Sequence, residues 1–122
     1  MTSPPRRVTV RDLAAAKRDG RPLTMVTAYD WPTGRLADES GVDCVLVGDS
    51  VAMVVAGRAS TIPATLEQMI YHGEIVGRAA ARALVVVDLP FPLQHLGTRT
   101  AIESCARILK ETGSRERRAR PR

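Results

Sequence analysis

Several things are scarce in this chain of 122 residues. It has two cysteines and two histidines, with no Cys-x-x-Cys and no Cys/His cluster, so nothing suggests a zinc site. Cys44 lies in an apolar, strand-like run and Cys105 on the apolar side of a predicted helix; both are expected as buried, reduced thiols rather than as a disulfide. Aromatic residues make up 3% of the chain and none is interleaved with its terminal arginines, which argues against a stacking platform for nucleic acid. No apolar run, Ala83 to Val87 included, approaches the roughly 20 residues that a membrane-spanning helix needs. Pro4, Pro5, Arg6 and Arg7 are followed by no apolar h-region, so no secretory signal is expected. The expectation is a soluble, cytoplasmic protein with no membrane partner.

What is present is ordinary for a globular domain: 44% hydrophobic and 25% charged residues. The formal charge of +5 is uneven, because the Arg-rich stretch 114–122 contributes +4 and leaves the other 113 residues at +1. The pI of 10.0 therefore describes the tail. A solvated, disordered tail is expected there in preference to a nucleic-acid-binding arm.

Along the chain, residues 1–8 read as a flexible leader. Thr9 and Asp12 begin a predicted helix that runs to Lys17, and Gly20 stops it. Leu23 to Ala28 reads as a buried strand, Asp30 and Pro32 as the start of a helix with Leu36 and Ala37 facing inward, and Val42 to Val47 as a second strand. Residues 51–64 are too irregular for a regular element. Thr65 and Gln68 have capping-box spacing before a helix reaching about Ala81, and Leu84 to Val87 forms a third strand. A second box pattern, Thr100 to Glu103, opens a last helix on which Ile102, Cys105, Ala106 and Leu109 share a face; Gly113 stops it.

An N-terminal helix followed by three β-α units specifies an α/β protein with a parallel sheet. A closed (β/α)₈ TIM barrel needs about 250 residues, so the expected fold is a partial barrel: residues 9–113 as its N-terminal portion, then the Arg-rich tail. The stretch after Gly113 makes a poor strand, and the organisation reads as truncated.

Two aspartates close apolar runs at strand ends, Asp49 in Val-Gly-Asp-Ser (47–50) and Asp88 in Val-Val-Asp-Leu-Pro-Phe (86–91). In a parallel α/β protein that end of the sheet is where sites are built. Two carboxylates converging there suit one hard cation such as Mg²⁺. Each alone reads more often as a helix cap or turn residue than as a metal ligand, and it is their pairing and flanking motifs that reverse the preference. Ser50 reads either as a turn residue or as a hydroxyl donor to a substrate. Tyr29 and Asp30 are expected to shape the first βα loop and Trp31 to pack. His72 is expected to be structural, and His95 to lie in a loop near the site without contacting it.

The blocks Thr-Ala-Tyr-Asp (27–30), Leu-Val-Gly-Asp-Ser (46–50), Ser-Thr-Ile-Pro-Ala-Thr (60–65), Met-Ile-Tyr-His (69–72) and Asp-Leu-Pro-Phe (88–91) resemble, in order and spacing, the ketopantoate hydroxymethyltransferase family. The resemblance covers residues 23–113 and the N-terminal half of a family member. It implies a (β/α)₈ barrel in a homo-oligomer. The implied reaction is Mg²⁺-dependent transfer of a hydroxymethyl group from 5,10-methylenetetrahydrofolate to 3-methyl-2-oxobutanoate, giving 2-dehydropantoate in pantothenate biosynthesis. It implies Asp49 and Asp88 as metal ligands, and Asp49, Ser50 and Asp88 as contacts to the keto acid. The family's substrate-binding lysine, further acidic metal-site residue and glutamate base have no counterpart in this sequence, so no catalytic residue is assigned. Two alternatives stay open: a non-catalytic fragment docking onto full-length barrel subunits, and a related Mg²⁺-dependent barrel enzyme acting on another 2-oxo acid.

Overall fold

A computed structural model describes residues 6–112. Helix α1 (Val10–Asp19) leads into β1 (Met25–Thr27), α2 (Trp31–Glu39), β2 (Cys44–Val47), a short α3 (Val51–Val54), α4 (Leu66–Ala79) and β3 (Leu84–Val87). A 3₁₀ turn at Leu93–His95 and helix α5 (Thr98–Glu111) follow. The strands form one parallel sheet in the order β1-β2-β3, with Val45 opposite both Val26 and Val85. Among the described residues no helix is long and apolar enough to cross a membrane.

Local chemistry explains the element starts. Thr9 and Asp12 form a reciprocal capping box on α1, and Gly20 closes that helix in the left-handed conformation. The Asp30 carboxylate accepts from the Thr33 N–H and caps α2, with Pro32 in its first turn. Thr65 and Gln68 exchange both bonds of the box on α4.

β2 is the middle strand and is covered on both faces, as parallel sheets usually are. Val45 and Val47 are fully buried, with Val85, beneath α2 and α4, where Met69 and Val76 complete the packing. Cys44 and Leu84 point the other way and meet Val8 and Leu13. Residues 6–8 of the leader are thus described, and Val8 is held by burial and by its N–H on the Arg82 carbonyl at 2.8 Å. Gly34 lets α2 lie close on α4, since a Cβ there would meet the Ala79 Cβ at 3.0 Å.

The N-terminal end of the sheet is stapled by a buried carboxylate. Asp38 accepts the N–H groups of Ala81, Arg82 and Ala83 at 2.9, 3.0 and 2.7 Å. The end of α2 thereby fixes where β3 begins. Asp43 does similar work between strands, accepting from the Thr24 N–H and hydroxyl at 2.9 and 3.1 Å. Those bonds, with Arg21 nearby, hold its carboxyl below the usual aspartate range.

Several expectations change. β1 is exposed rather than buried, with Met25 51% and Val26 43% accessible, because it is an edge strand carrying no neighbour on its outer side among the described residues. Leu36 points to solvent, and the inward stripe of α2 is Gly34, Ala37 and Asp38. Residues 51–54 are helical, not irregular. α5 begins at Thr98 behind Gly97, so the Thr100–Glu103 box does not form. Its buried residues are Ser104 and Ile108, while Ile102, Cys105, Ala106 and Leu109 are exposed. Cys105 is therefore not a core thiol; Cys44 is. Together with Leu109, Val10 and the β3 valines, Cys105 lines an apolar groove of about 250 Å³ beside β3. Gly113, expected to stop α5, and the tail 114–122 lie outside the described residues.

Candidate metal centre

The three strands deliver their following residues to one end of the sheet. Tyr29 comes two residues after β1, Gly48, Asp49 and Ser50 directly after β2, and Asp88 directly after β3. The Asp88 N–H extends the ladder to the Val47 carbonyl at 3.0 Å, and its Oδ2 then accepts the Asp49 N–H at 3.0 Å. The two aspartates expected to share an ion are thus neighbours at the same end of adjacent strands.

Gly48 makes this approach possible. A Cβ at that position would stand 3.1 Å from Ser50 Oγ and 3.3 Å from Asp88 Oδ2. Ser50 heads α3 but its side chain caps nothing there; its Oγ lies 2.6 Å from the Tyr29 hydroxyl. The Tyr29 carbonyl is in turn 2.8 Å from His72 Nδ1 on α4. A carbonyl only accepts, so Nδ1 is the nitrogen that carries a proton here.

The donor set is hard oxygen. Asp88 Oδ2 holds one N–H, Asp88 Oδ1 receives none, and no protein donor reaches the Asp49 carboxylate among the described residues. No group of three or more His, Cys, Asp or Glu side chains is arranged for a metal among the described residues. Two carboxylates with unused lone pairs, at a half-exposed strand end, suit a cation that takes one or two protein carboxylates and fills its other positions with water and substrate.

Of the expected site residues, Asp49, Ser50 and Asp88 are brought together. Asp30 caps α2, with the Thr33 hydroxyl and N–H holding its carboxyl below the usual range. Trp31 is half exposed, with the Arg35 guanidinium 5.9 Å from its ring, so it packs against a surface side chain rather than a core. His95 is exposed and faces the Phe91 ring at 5.8 Å. Missing from the sequence reading are the direct contact of Tyr29 with Ser50 and the grip of His72 on the loop that carries Tyr29. No spacing signal links residues 21 and 43 positions apart.

Parallel β-α units with Asp49 and Asp88 at the carboxyl ends of adjacent strands place the chain in a class, the parallel α/β proteins, in which sites are generally built at that end of the sheet. Comparison with known proteins narrows it. A family model, Ketopantoate hydroxymethyltransferase, matches residues 7–116, and the chain belongs to that family. It is 54% identical over 106 residues to the 3-methyl-2-oxobutanoate hydroxymethyltransferase of Rhodopirellula baltica, covering 87% of this chain and 39% of the relative. It is 56% identical over 109 residues to the protein of that name from Thermobifida fusca, covering 89% and 39%, and 50% identical over 107 residues to that from Trichodesmium erythraeum, covering 88% and 41%. The chain spans about two fifths of the length of these relatives.

Proposed function

We propose that this chain supplies the cation- and keto-acid-binding part of a 3-methyl-2-oxobutanoate hydroxymethyltransferase. Its strands are then the first three staves of a (β/α)₈ barrel. The reading takes Mg²⁺ as the cation, 3-methyl-2-oxobutanoate as acceptor and 5,10-methylenetetrahydrofolate as the one-carbon donor, in a cytoplasmic homo-oligomer. The observation that carries it is the bond from the Asp49 main-chain N–H to the Asp88 carboxylate, which ties together the loops that bear the two aspartates at the carboxyl end of the sheet.

Asp49 and Asp88 would hold the cation through their unused oxygens. The chemistry supplied by bound Mg²⁺ is Lewis-acid polarisation of a keto oxygen. Ser50 presents a hydroxyl beside the pair and donates to the substrate carboxylate. The Asp49 N–H fixes the Asp88 carboxylate before any ligand arrives, so little reorganisation is needed on binding. No described residue is assigned the removal of the C3 proton.

Titration of the chain with Mg²⁺ and then 3-methyl-2-oxobutanoate tests the reading, beside an assay for tetrahydrofolate-dependent loss of the keto acid and an intact mass. Keto-acid binding that requires Mg²⁺ is expected. In a full-length relative carrying the same residues, Asp49→Ala and Asp88→Ala each abolish Mg²⁺-dependent turnover. Wild-type rates from either variant remove that residue from the metal site. A second reading, a non-catalytic piece docking onto intact barrel subunits, draws on the exposed β1 edge and the apolar groove beside β3. Co-purification with an intact subunit, without Mg²⁺-dependent ligand binding, would favour it.

A further inference from the structure

We propose that Tyr29 is a positioning residue whose phenol sets the direction of the Ser50 hydroxyl, and that His72 holds Tyr29 in place for this task. The inference rests on the reading that Ser50 meets the carboxylate of a 2-oxo acid. A serine hydroxyl has one proton and a freely turning rotor. It is a dependable donor to a carboxylate only when another group occupies its acceptor side. At 2.6 Å the Tyr29 hydroxyl is that group. The phenol donates to Ser50 Oγ, and the serine proton is left to point at the ligand.

Such a chain of two hydroxyls is polarised toward the anion, and each bond strengthens the next. In the alternative direction, serine donating to tyrosine, Ser50 Oγ has only lone pairs left to offer an anionic substrate, so ligand binding selects the first. The supports are on separate elements. His72, on α4, donates its Nδ1 proton to the Tyr29 carbonyl at 2.8 Å, and its ring stands edge-on to the Tyr29 ring with centroids 6.5 Å apart. The Tyr71 ring also packs edge-on against the imidazole, with centroids 5.1 Å apart, which restricts how the His72 ring can turn. Gly48 leaves the space through which Ser50 Oγ sits close to the strand end. The pair therefore links the mouths of β1 and β2, while the Asp49–Asp88 bond links those of β2 and β3.

Calorimetric titration of the chain in Mg²⁺ with 3-methyl-2-oxobutanoate, for wild type, Tyr29→Phe, Ser50→Ala and the double variant, tests this. Tyr29→Phe keeps the ring and removes only the hydroxyl. The expected result is a loss of about tenfold in keto-acid affinity, with Mg²⁺ affinity within about twofold of wild type. The double variant binds no more weakly than Ser50→Ala alone, because the phenol acts only through the serine. Equal binding by wild type and Tyr29→Phe, or additive losses in the double variant, overturns the positioning role and leaves the functional reading intact. A Tyr29→Phe chain that loses helical circular dichroism and Mg²⁺ binding also overturns it, since Tyr29 would then hold the loop rather than the hydroxyl. A wild-type chain that takes up no keto acid with Mg²⁺ overturns the functional reading and this inference together.

Discussion

Four aspartates border the sheet, two at each end, and they are used in opposite ways. At the amino end, Asp38 and Asp43 are saturated: Asp38 takes three main-chain N–H groups, and Asp43 takes a main-chain and a side-chain donor from Thr24 with Arg21 3.6 Å away. At the carboxyl end, the Asp88 carboxylate accepts one main-chain N–H, that of Asp49, and the Asp49 carboxylate accepts none among the described residues. The same functional group is glue at one end and a reserve of lone pairs at the other. A strand-end aspartate is therefore no signal by itself. What singles out Asp49 and Asp88, and supports the proposed function, is that the protein leaves their carboxylates largely unsatisfied.

The comparison is open to attack by mutation. Asp38→Ala orphans three N–H groups at a buried position, so chemical denaturation is expected to show a loss of about 3–5 kcal/mol. Asp38→Asn, which keeps one carbonyl oxygen, should lose less. At the other end, Asp88→Ala removes one hydrogen bond and should cost about 1 kcal/mol, while Asp49→Ala should leave stability within about 0.5 kcal/mol of wild type. If Asp49→Ala is as damaging as Asp38→Ala, the division between the two ends fails.

Acid sharpens the contrast. Asp12, bonded by Arg6 and Thr9, is held down to about 2 from an ordinary 3.8, and Asp30 and Asp43 are lowered in the same direction by their hydrogen bonds. A lowered folded-state value means that the unfolded chain binds more protons. The stability these groups add is complete above about pH 4 and falls away as pH drops toward about 2. Denaturation midpoints across that window should decline, and Asp43→Asn should flatten part of the decline. A midpoint that stays level from pH 4 to 2 would contradict this.

The smallest effect is kinetic. Cys44 is buried at the amino end, and burial with the neighbouring Asp43 pushes its thiol above the ordinary value; Cys105 is exposed on α5. A thiol reagent should label Cys105 rapidly and Cys44 only on opening. Asp38→Ala should speed the Cys44 step while leaving Cys105 unchanged. Equal rates for both cysteines in the native chain would place Cys44 outside a protected core.

Legibility in the sequence followed the range of the interactions. The caps at Thr9, Asp30 and Thr65 depend on residues three positions apart, and β3 is one short run of apolar residues, so these are readable. The outward face of β1 and the exposure of Leu36, Cys105 and Leu109 depend on what covers them, which periodicity does not encode. The apolar run Val51 to Ala56 resembles neither an amphipathic helix nor a strand, and its helical turn follows from the tight bend at Gly48 to Ser50. The strand-end aspartates stood out, and their mutual contact follows from adjacent parallel strands. Asp38 did not stand out, because an aspartate in the last turn of a helix usually faces solvent and its partners lie 43 to 45 residues away.

The amide of Asp49, tied to the carboxylate of the next strand, has a spectroscopic consequence. Its proton sits on a charge that any arriving cation must draw away. Under the proposed function, that one resonance in an amide correlation spectrum is an internal indicator of occupancy, expected to shift with added Mg²⁺ while the amides of Ala81 to Ala83, bound to the Asp38 carboxylate, hold still.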